Sequence, residues 1–198
     1  MNYFHDLNKQ NINNWMINLL LNTDCSTTKI IESLIHDKVN IKIHEQKKVS
    51  LNELPDDISK YFVSNGSFLH RISSLYFNKA ELSYNLVYVN LDVIPISYQE
   101  NLFKGDLPIG KIIANLTSQR KLLWNGYKDS KQLLQIDFAT LESNIKHYPV
   151  KQYLIFNENK PCFFINETFN SQQILNKFWA AIKNEQYSLA DASLGNVK

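Results

Sequence analysis

The chain has 198 residues, of which 44% are hydrophobic and 12% aromatic, and its formal net charge is +2. This length and apolar content suit one ordinary domain with a substantial core. The small net charge, with charges of both signs interspersed, excludes the broad cationic surface of a nucleic-acid-binding protein. No run approaches the roughly 18 apolar residues of a membrane-spanning helix. We therefore expect neither nucleic acid nor a membrane as a partner.

Two widely spaced cysteines, Cys25 and Cys162, are the only ones in the sequence. They form no CxxC pair, so neither a disulfide framework nor a thiolate zinc site is predicted, which fits a reducing compartment. The N-terminus has neither the basic and apolar regions of a secretory signal nor the Arg-rich character of a transit peptide. These features predict a protein that works where it is made, in the cytoplasm or, if it is plastid-encoded, in the plastid stroma.

The first elements follow from hydrophobic spacing. Residues 11–21 carry apolar side chains at helical intervals. Ser26 or Thr27 is a suitable N-cap for a second helix that continues through Ile35. The alternation over 39–44 is typical of a half-buried strand, and 51–59 reads as a loop or a single turn.

Strands linked by hairpins dominate the rest of the chain. The sequence predicts strands at 68–77, 82–93, 120–127, 133–138, 150–156 and 162–169, and helices at 98–103, 109–116 and 171–183. Helices at both ends with hairpin-linked strands between them indicate an α+β domain with an antiparallel sheet. We expect one domain over 1–184 and a flexible tail over 185–198.

Common catalytic motifs are missing from the sequence. Five glycines provide no GxGxxG, Walker or GxSxG motif, and the five histidines show no HxH or HExxH spacing. Dinucleotide binding, nucleotide hydrolysis and serine-hydrolase chemistry are therefore disfavoured, and no metal site or cofactor is predicted. His70 is expected to be exposed or at a sheet edge.

Arg71 is one of only two arginines among 21 basic residues, and it interrupts the apolar strand 68–77. Burying a guanidinium is costly unless an anion pairs with it. Its planar fork binds a carboxylate through two parallel hydrogen bonds, which lysine does not reproduce. Arg71 is therefore a candidate for binding a carboxylate ligand. Pairing with a structural Asp or Glu at a sheet edge is the alternative.

Glu167 is the corresponding acid, placed in the apolar strand 162–169. Acids are seldom buried without a partner. If Glu167 faces the same interior as Arg71, the two side chains either neutralise each other or stand at opposite ends of a cavity. In the second case a desolvated Glu167 is suited to proton donation.

Pro108 begins the predicted helix of the Leu107-Pro108-Ile109-Gly110 segment. A helix start presents free backbone N–H groups and the positive end of a dipole, so it attracts anions. An ordinary helix start without a ligand is the alternative here, and the same two interpretations apply to the turn that contains Thr27.

In this order the motifs resemble the chorismate lyase (chorismate pyruvate-lyase) family, including its plastid and archaeal relatives. The resemblance covers roughly residues 19–169. It rests on Ser26-Thr27-Thr28-Lys29, Arg71 in its strand, Val93-Ile94-Pro95, Leu107-Pro108-Ile109-Gly110, Lys160-Pro161 and Glu167-Thr168-Phe169.

The resemblance implies a six-stranded antiparallel sheet covered by helices, with flap-like segments closing an internal site. It implies a lyase that splits chorismate into 4-hydroxybenzoate and pyruvate without a cofactor. Arg71 matches the residue that binds the ring carboxylate, and Glu167 the glutamate beside the phenolic oxygen. Ile109 matches a backbone N–H donor, and Thr27 is an uncertain match for a second one.

One departure from the family bears on the substrate. Many relatives have paired arginines where this chain has Lys151-Gln152. The second carboxylate of chorismate is then left to Lys151 or Arg120, or goes unbound. Effector domains of GntR-type regulators resemble the same fold, so a non-catalytic aromatic-acid-binding protein or sensor is the alternative function. The sequence leaves open whether the chain is a monomer or a dimer.

Overall fold

The fold is described from a computed structural model that covers residues 2–63, 66–105, 107–113, 118–129, 132–133 and 146–194. Within the helices and strands, side chains are described from Asn8 to Asn184, apart from that of Ser118.

The helices and strands follow the α+β order expected from the sequence. The helices are α1 (Asn2–Asn22), α2 (Thr27–Ile35), α3 (Asp56–Ser59), α4 (Ile96–Lys104), α5 (Ile109–Ile112) and α6 (Ser171–Leu194), with a 3-10 turn at Leu51–Glu53. The strands are β1 (Asn40–Ser50), β2 (Ser67–Phe77), β3 (Ala80–Asn90), β4 (Ser118–Asp129), β5 (His147–Asn157) and β6 (Lys160–Phe169).

The described strands form one six-stranded sheet in the order β1-β2-β3-β6-β5-β4. Every neighbouring pair is antiparallel, which confirms the predicted fold class. Two hairpins have two-residue turns, Asn78-Lys79 and Glu158-Asn159, and all four turn residues have positive φ. Turns of this kind match the right-handed twist of the strands that they join. The pairing of β3 with β6 joins strands β1 to β3 to strands β4 to β6 in one sheet.

Both faces of the sheet are covered. One face, called here the site face, packs against α4 and α5 through a cluster that includes Leu69, Leu102 and Ile165. It also packs against α1, α2 and α6 through a second cluster. The opposite face, called here the back face, packs against the 3-10 turn and α3, where Ile58 and Phe164 belong to one cluster. No described helix is long and apolar enough to cross a membrane.

Several element boundaries differ from those predicted. The first helix begins at Asn2, the last continues past 183 to Leu194, and 51–59 contains two short helical turns. These end residues have little hydrophobic periodicity, so their helical state was not predicted from spacing. The strand predicted at 133–138 lies largely outside the described residues, as does 114–116 of the predicted helix. The division into a domain over 1–184 and a flexible tail remains a prediction.

His70 is not exposed, because the back face is itself part of the core. Only 4% of the residue is accessible, and its ring stacks on Tyr88 with centroids 4.9 Å apart. The Nδ1 atom lies 3.5 Å from a carboxylate oxygen of Glu45. The expectation of an exposed or edge histidine was therefore wrong.

Candidate active site

Two rows of side chains cross the site face on adjacent strands. The strand register aligns Arg71, Val87, Ile165 and Tyr153 in one row, and Ser73, Asn85, Glu167 and Lys151 in the next. Because side chains alternate along a strand, these eight residues face the same side of the sheet. Arg71 and Glu167 are thus on one face, two strands apart, which is about 10 Å across the sheet.

A small cavity of about 40 Å³ lies between these rows and the helices that cover them. Its lining is contributed by α2 with its cap, by β1 to β6 and by the start of α5. The lining residues are Ser26, Thr27, Thr28, Ile41, Ser73, Leu75, Asn85, Val87, Pro108, Ile109, Gly110, Arg120, Tyr153, Ile165 and Glu167. The predicted residues Glu167, Thr27, Ile109 and Arg120 are therefore brought together at one cavity.

Glu167 is the acidic group of this cavity and is almost completely buried. The Thr27 hydroxyl donates a hydrogen bond of 2.7 Å to its Oε2, and the Tyr153 hydroxyl also interacts with the carboxylate. Burial raises the pKa of Glu167, and the charges of Lys151 and Arg120 and these hydrogen bonds offset the rise only in part. A raised pKa keeps a larger share of the carboxyl protonated near neutral pH. Burial likewise holds the pKa of Tyr153 well above its ordinary value.

Arg120 and Lys151 provide positive charge near Glu167 in different ways. The Arg120 guanidinium lies over the Tyr153 ring, 5.5 Å from its centroid, and donates to the carbonyl of Cys25. Lys151 is not among the residues that line the cavity. Its Nζ donates instead to the carbonyls of Leu20 at 3.3 Å and of Thr23 at 2.5 Å. Of the two candidates for a second carboxylate, only Arg120 faces the cavity.

Arg71 is completely buried, as the sequence suggested, and it lies next to the cavity rather than in its lining. Its Nε donates to the side-chain oxygen of Gln46 at 2.7 Å, and Nη2 donates to the carbonyl of Leu102 at 2.7 Å. A longer contact of 3.5 Å joins Nη1 to the carbonyl of Leu107. The guanidinium therefore also holds the end of α4 and the segment that leads into α5.

The starts of α2 and α5 meet at the cavity. Ser26 caps α2, accepting a hydrogen bond from the Lys29 backbone N–H. A Cβ atom added at Gly110 would lie 2.8 Å from the Ser26 Oγ, so glycine allows this close approach. Lys111 forms an ion pair of 2.7 Å with Glu32 and so joins the two helices. Thr27 contacts Glu167 through its hydroxyl, whereas the resemblance suggested a backbone donor.

Among the residues of this region that were not predicted as site residues are Ser73, Asn85, Tyr153 and Gln46. Ser73 and Asn85 are polar residues at core-facing positions of apolar strands, which was a usable signal. Tyr153 resembles an ordinary core aromatic residue, and Gln46 is recognisable only through its contact with Arg71. Among the described residues, no group of three or more His, Cys, Asp or Glu side chains is placed to hold a metal ion.

Comparison with solved structures finds this fold in bacterial proteins. The effector domain of PhnF from Mycobacterium smegmatis aligns over 75% of this chain and 90% of its own, with 6% identity and a TM-score of 0.53. The gene product SA0254 from Staphylococcus aureus aligns over 68% and 84%, with 11% identity and a TM-score of 0.52. At such identities the likeness shows the fold alone.

Comparison of the sequence gives the family. A search of curated proteins finds no match. The family model described as Chorismate pyruvate-lyase Rv2949c-like matches residues 21–178, a range that includes every residue that lines the cavity. The chain therefore belongs to the Rv2949c-like chorismate pyruvate-lyase family.

Proposed function

We propose that this protein is a lyase that eliminates pyruvate from chorismate to give 4-hydroxybenzoate without a cofactor. The observation that carries the proposal is a buried carboxyl, Glu167, in a small cavity that Arg120 also lines, on the sheet face that holds Arg71. Family membership supports a small-molecule substrate of this kind.

The reaction makes few demands on the protein. Breaking the ring–ether bond leaves its electron pair on the ether oxygen, and a ring hydrogen departs as a proton as the ring becomes aromatic. The ether oxygen takes a proton from the donor carboxyl, and the ring proton restores that carboxyl. The enol of pyruvate then tautomerises to pyruvate, so no net proton is gained or lost. Since the reaction runs downhill, the site needs chiefly to orient the substrate, exclude water and stabilise charge at the ether oxygen.

Glu167 is the proposed catalytic group at the ether and phenol oxygens. Its raised pKa favours the protonated carboxyl, which can donate to the leaving oxygen. Thr27 holds the other carboxyl oxygen through a hydrogen bond of 2.7 Å. A fixed orientation allows proton donation without prior rearrangement of the side chain.

Arg71 and Arg120 are the proposed partners of the two carboxylates. Arg71 would bind the ring carboxylate with help from the Ile109 backbone N–H at the start of α5. The ligand carboxylate would replace the Leu107 carbonyl, which is the longest of the three Arg71 contacts described above, at 3.5 Å. Arg120 would bind the enolpyruvyl carboxylate, because it faces the cavity and Lys151 does not.

Substrate entry requires movement of the covering segment. A cavity of about 40 Å³ has room for little more than one water molecule. The segment from α4 to α5 carries Leu102, Leu107 and Ile109, so its displacement would both enlarge the cavity and release Arg71 contacts.

The test is incubation of the purified protein with chorismate, with 4-hydroxybenzoate followed by absorbance and pyruvate by a coupled dehydrogenase. We expect turnover by the wild type and a loss of about 100-fold or more for Glu167→Gln. The same variant should still bind 4-hydroxybenzoate by calorimetry. Arg71→Ala should lose both turnover and binding.

Lys121→Met is a matched control, since Lys121 is exposed on the back-face side of β4. It should behave as the wild type. Unchanged turnover in Glu167→Gln would contradict the assigned role.

A ligand-binding protein without turnover is the second candidate. It is favoured by the contacts of Arg71 with Gln46, Leu102 and Leu107, which give this residue a structural function as well. The structural likeness to an effector domain agrees with it. Tight binding of 4-hydroxybenzoate with no product from chorismate would select this function.

A further inference from the structure

We propose that Lys151 is a positioning residue, whose ammonium holds the turn before Thr27 and supplies a fixed positive charge opposite Glu167, and that it does not bind substrate. The inference rests on the proposed function only in treating Glu167 as the reacting carboxyl.

The first argument is where the ammonium lies. The Lys151 side chain is almost completely buried, and Nζ donates to the carbonyls of Leu20 and Thr23. Leu20 belongs to the last turn of α1, whose carbonyls lack partners within the helix. A cation there also interacts favourably with the negative end of the helix dipole. Asn125, which is opposite Lys151 in the register, donates similarly to the carbonyl of Leu21 at 3.2 Å.

The second argument is what this turn carries. Three residues separate Thr23 from Thr27, whose hydroxyl donates to Glu167. Arg120 donates to the carbonyl of Cys25 within the same turn. By fixing the end of α1, Lys151 therefore fixes the approach of Thr27 and the acceptor of Arg120 together.

The third argument is charge. Lys151 and Glu167 are directly paired in the register of β5 and β6, and the lysine is one of the cations that hold down the pKa of Glu167 against burial. The other titratable or charged groups that face this pair are Arg120, Tyr153, Asp24 and Cys25. Of these four groups, Arg120 is the cation. Arg120 faces the cavity, so a bound ligand would contact it and could move it. Lys151 does not line the cavity, so its position should stay the same when a ligand binds.

The experiment separates anchoring from charge with three variants. Lys151→Gln removes the charge but keeps an N–H donor for the carbonyls, Lys151→Met removes both, and Lys151→Arg keeps the charge. The readout is the titration of the Glu167 carboxyl by ¹³C NMR in protein labelled at glutamate, assigned by the signal that disappears in Glu167→Gln. Lys121→Met is the matched control.

We expect the Glu167 titration to move upward by about one pH unit in Lys151→Gln and Lys151→Met, and to stay in place in Lys151→Arg and Lys121→Met. The melting temperature should fall most in Lys151→Met, because its two carbonyl acceptors lose their donor. If the protein turns over chorismate, the high-pH limb of kcat/KM should move upward in Lys151→Gln, since the protonated carboxyl persists to higher pH.

Two results would overturn the proposal. One is an unchanged Glu167 titration in Lys151→Gln. The other is a selective loss of affinity for an aromatic dicarboxylate, with 4-hydroxybenzoate binding retained, which would make Lys151 a substrate ligand. The titration needs no turnover. A protein that is inactive on chorismate but shows the expected shift in the Glu167 titration would contradict the proposed lyase activity and would still support this inference.

Discussion

Arg71 is fully buried and yet has oxygen acceptors from β1, from the end of α4 and from the segment before α5. A guanidinium satisfies several acceptors at once because its donors form a planar fork. Its cost of burial is thus offset before any ligand arrives. Arg71 therefore links the sheet to the covering segment, and in the proposed function the same link responds to the ligand carboxylate.

We predict that Arg71→Lys weakens binding of 4-hydroxybenzoate by about tenfold or more, although the charge is kept. A lysine ammonium cannot form two parallel bonds with a carboxylate. Calorimetric titration at fixed pH measures the affinity. Lys121→Met is the control and should bind as the wild type does, because Lys121 is exposed on β4, at the opposite edge of the sheet from β1. Near-normal affinity in the lysine variant would contradict carboxylate binding by Arg71.

The two cysteines should react very differently with a thiol reagent. Cys162 is buried and donates to the carbonyl of Ile155 at 3.1 Å, and burial raises the pKa of its thiol to about 12. Cys25 is exposed. We expect one thiol to react in the native protein at pH 8 and two after denaturation, since the thiolate is the reactive form. Two fast-reacting thiols in the native protein would be inconsistent with this burial.

The short helix α5 depends on close packing against the start of α2. Gly110 approaches Ser26, and Lys111 pairs with Glu32. Burial raises the pKa of Glu32, but hydrogen bonds from Lys111 and the Val39 backbone and the charges of Lys111 and Lys38 outweigh it, so the pKa lies below its ordinary value. This contribution to stability is present above about pH 4.5 and is lost as the pH falls through the lowered value.

We predict that Gly110→Ala destabilises the protein by about 1–2 kcal/mol, because the added Cβ would lie 2.8 Å from the Ser26 Oγ. Urea unfolding measures the change in the free energy of unfolding. Ser26→Gly removes that oxygen and costs the α2 cap only a few tenths of a kcal/mol. The double variant should therefore regain most of the loss. Additive destabilisation in the double variant would show that this contact is not the cause.

Because both faces of the sheet are covered, ionisable side chains on either face are shielded from solvent, and this affects how stability depends on pH. The site face holds the cavity, while the back face encloses His70 against Tyr88 and Glu45. Burial lowers the pKa of His70, which Glu45 only partly opposes, and burial also lowers the pKa of His44. When the pKa of a histidine is lower in the folded state than in the unfolded state, the unfolded state binds a proton more readily. Acidic pH therefore shifts the equilibrium towards unfolding.

We therefore predict that His70 does not reduce the free energy of unfolding above about pH 6.5. Below that pH the free energy of unfolding should decrease as the pH drops through the lowered pKa of His70. His70→Phe keeps a ring to stack on Tyr88 and removes the titration. The loss of unfolding free energy between pH 7.5 and 5 should be smaller in this variant, as measured by urea unfolding at each pH. An equal loss in the variant and the wild type would exclude His70 as a cause.

The sequence by itself predicted the fold class, the six described strands in chain order, and Arg71 and Glu167 as the unusual charged residues of two apolar strands. Alternation with period two assigns each residue to one face of its strand, and unusual burial of charge marks both residues. The order of short motifs was enough to suggest the family that the comparison shows. Residues 2–10 of α1 and the end of α6 were missed, because their weak hydrophobic periodicity gives no helical signal.

Only the tertiary structure shows which group each charged side chain of the site contacts. No local pattern shows that Lys151 reaches the end of α1 while Arg120 faces the cavity, because both outcomes depend on where a distant helix ends. The acceptors of Arg71 and the contact of Thr27 with Glu167 join residues far apart in sequence. Strand alternation fixes which face a side chain occupies, but packing between elements fixes which group it meets.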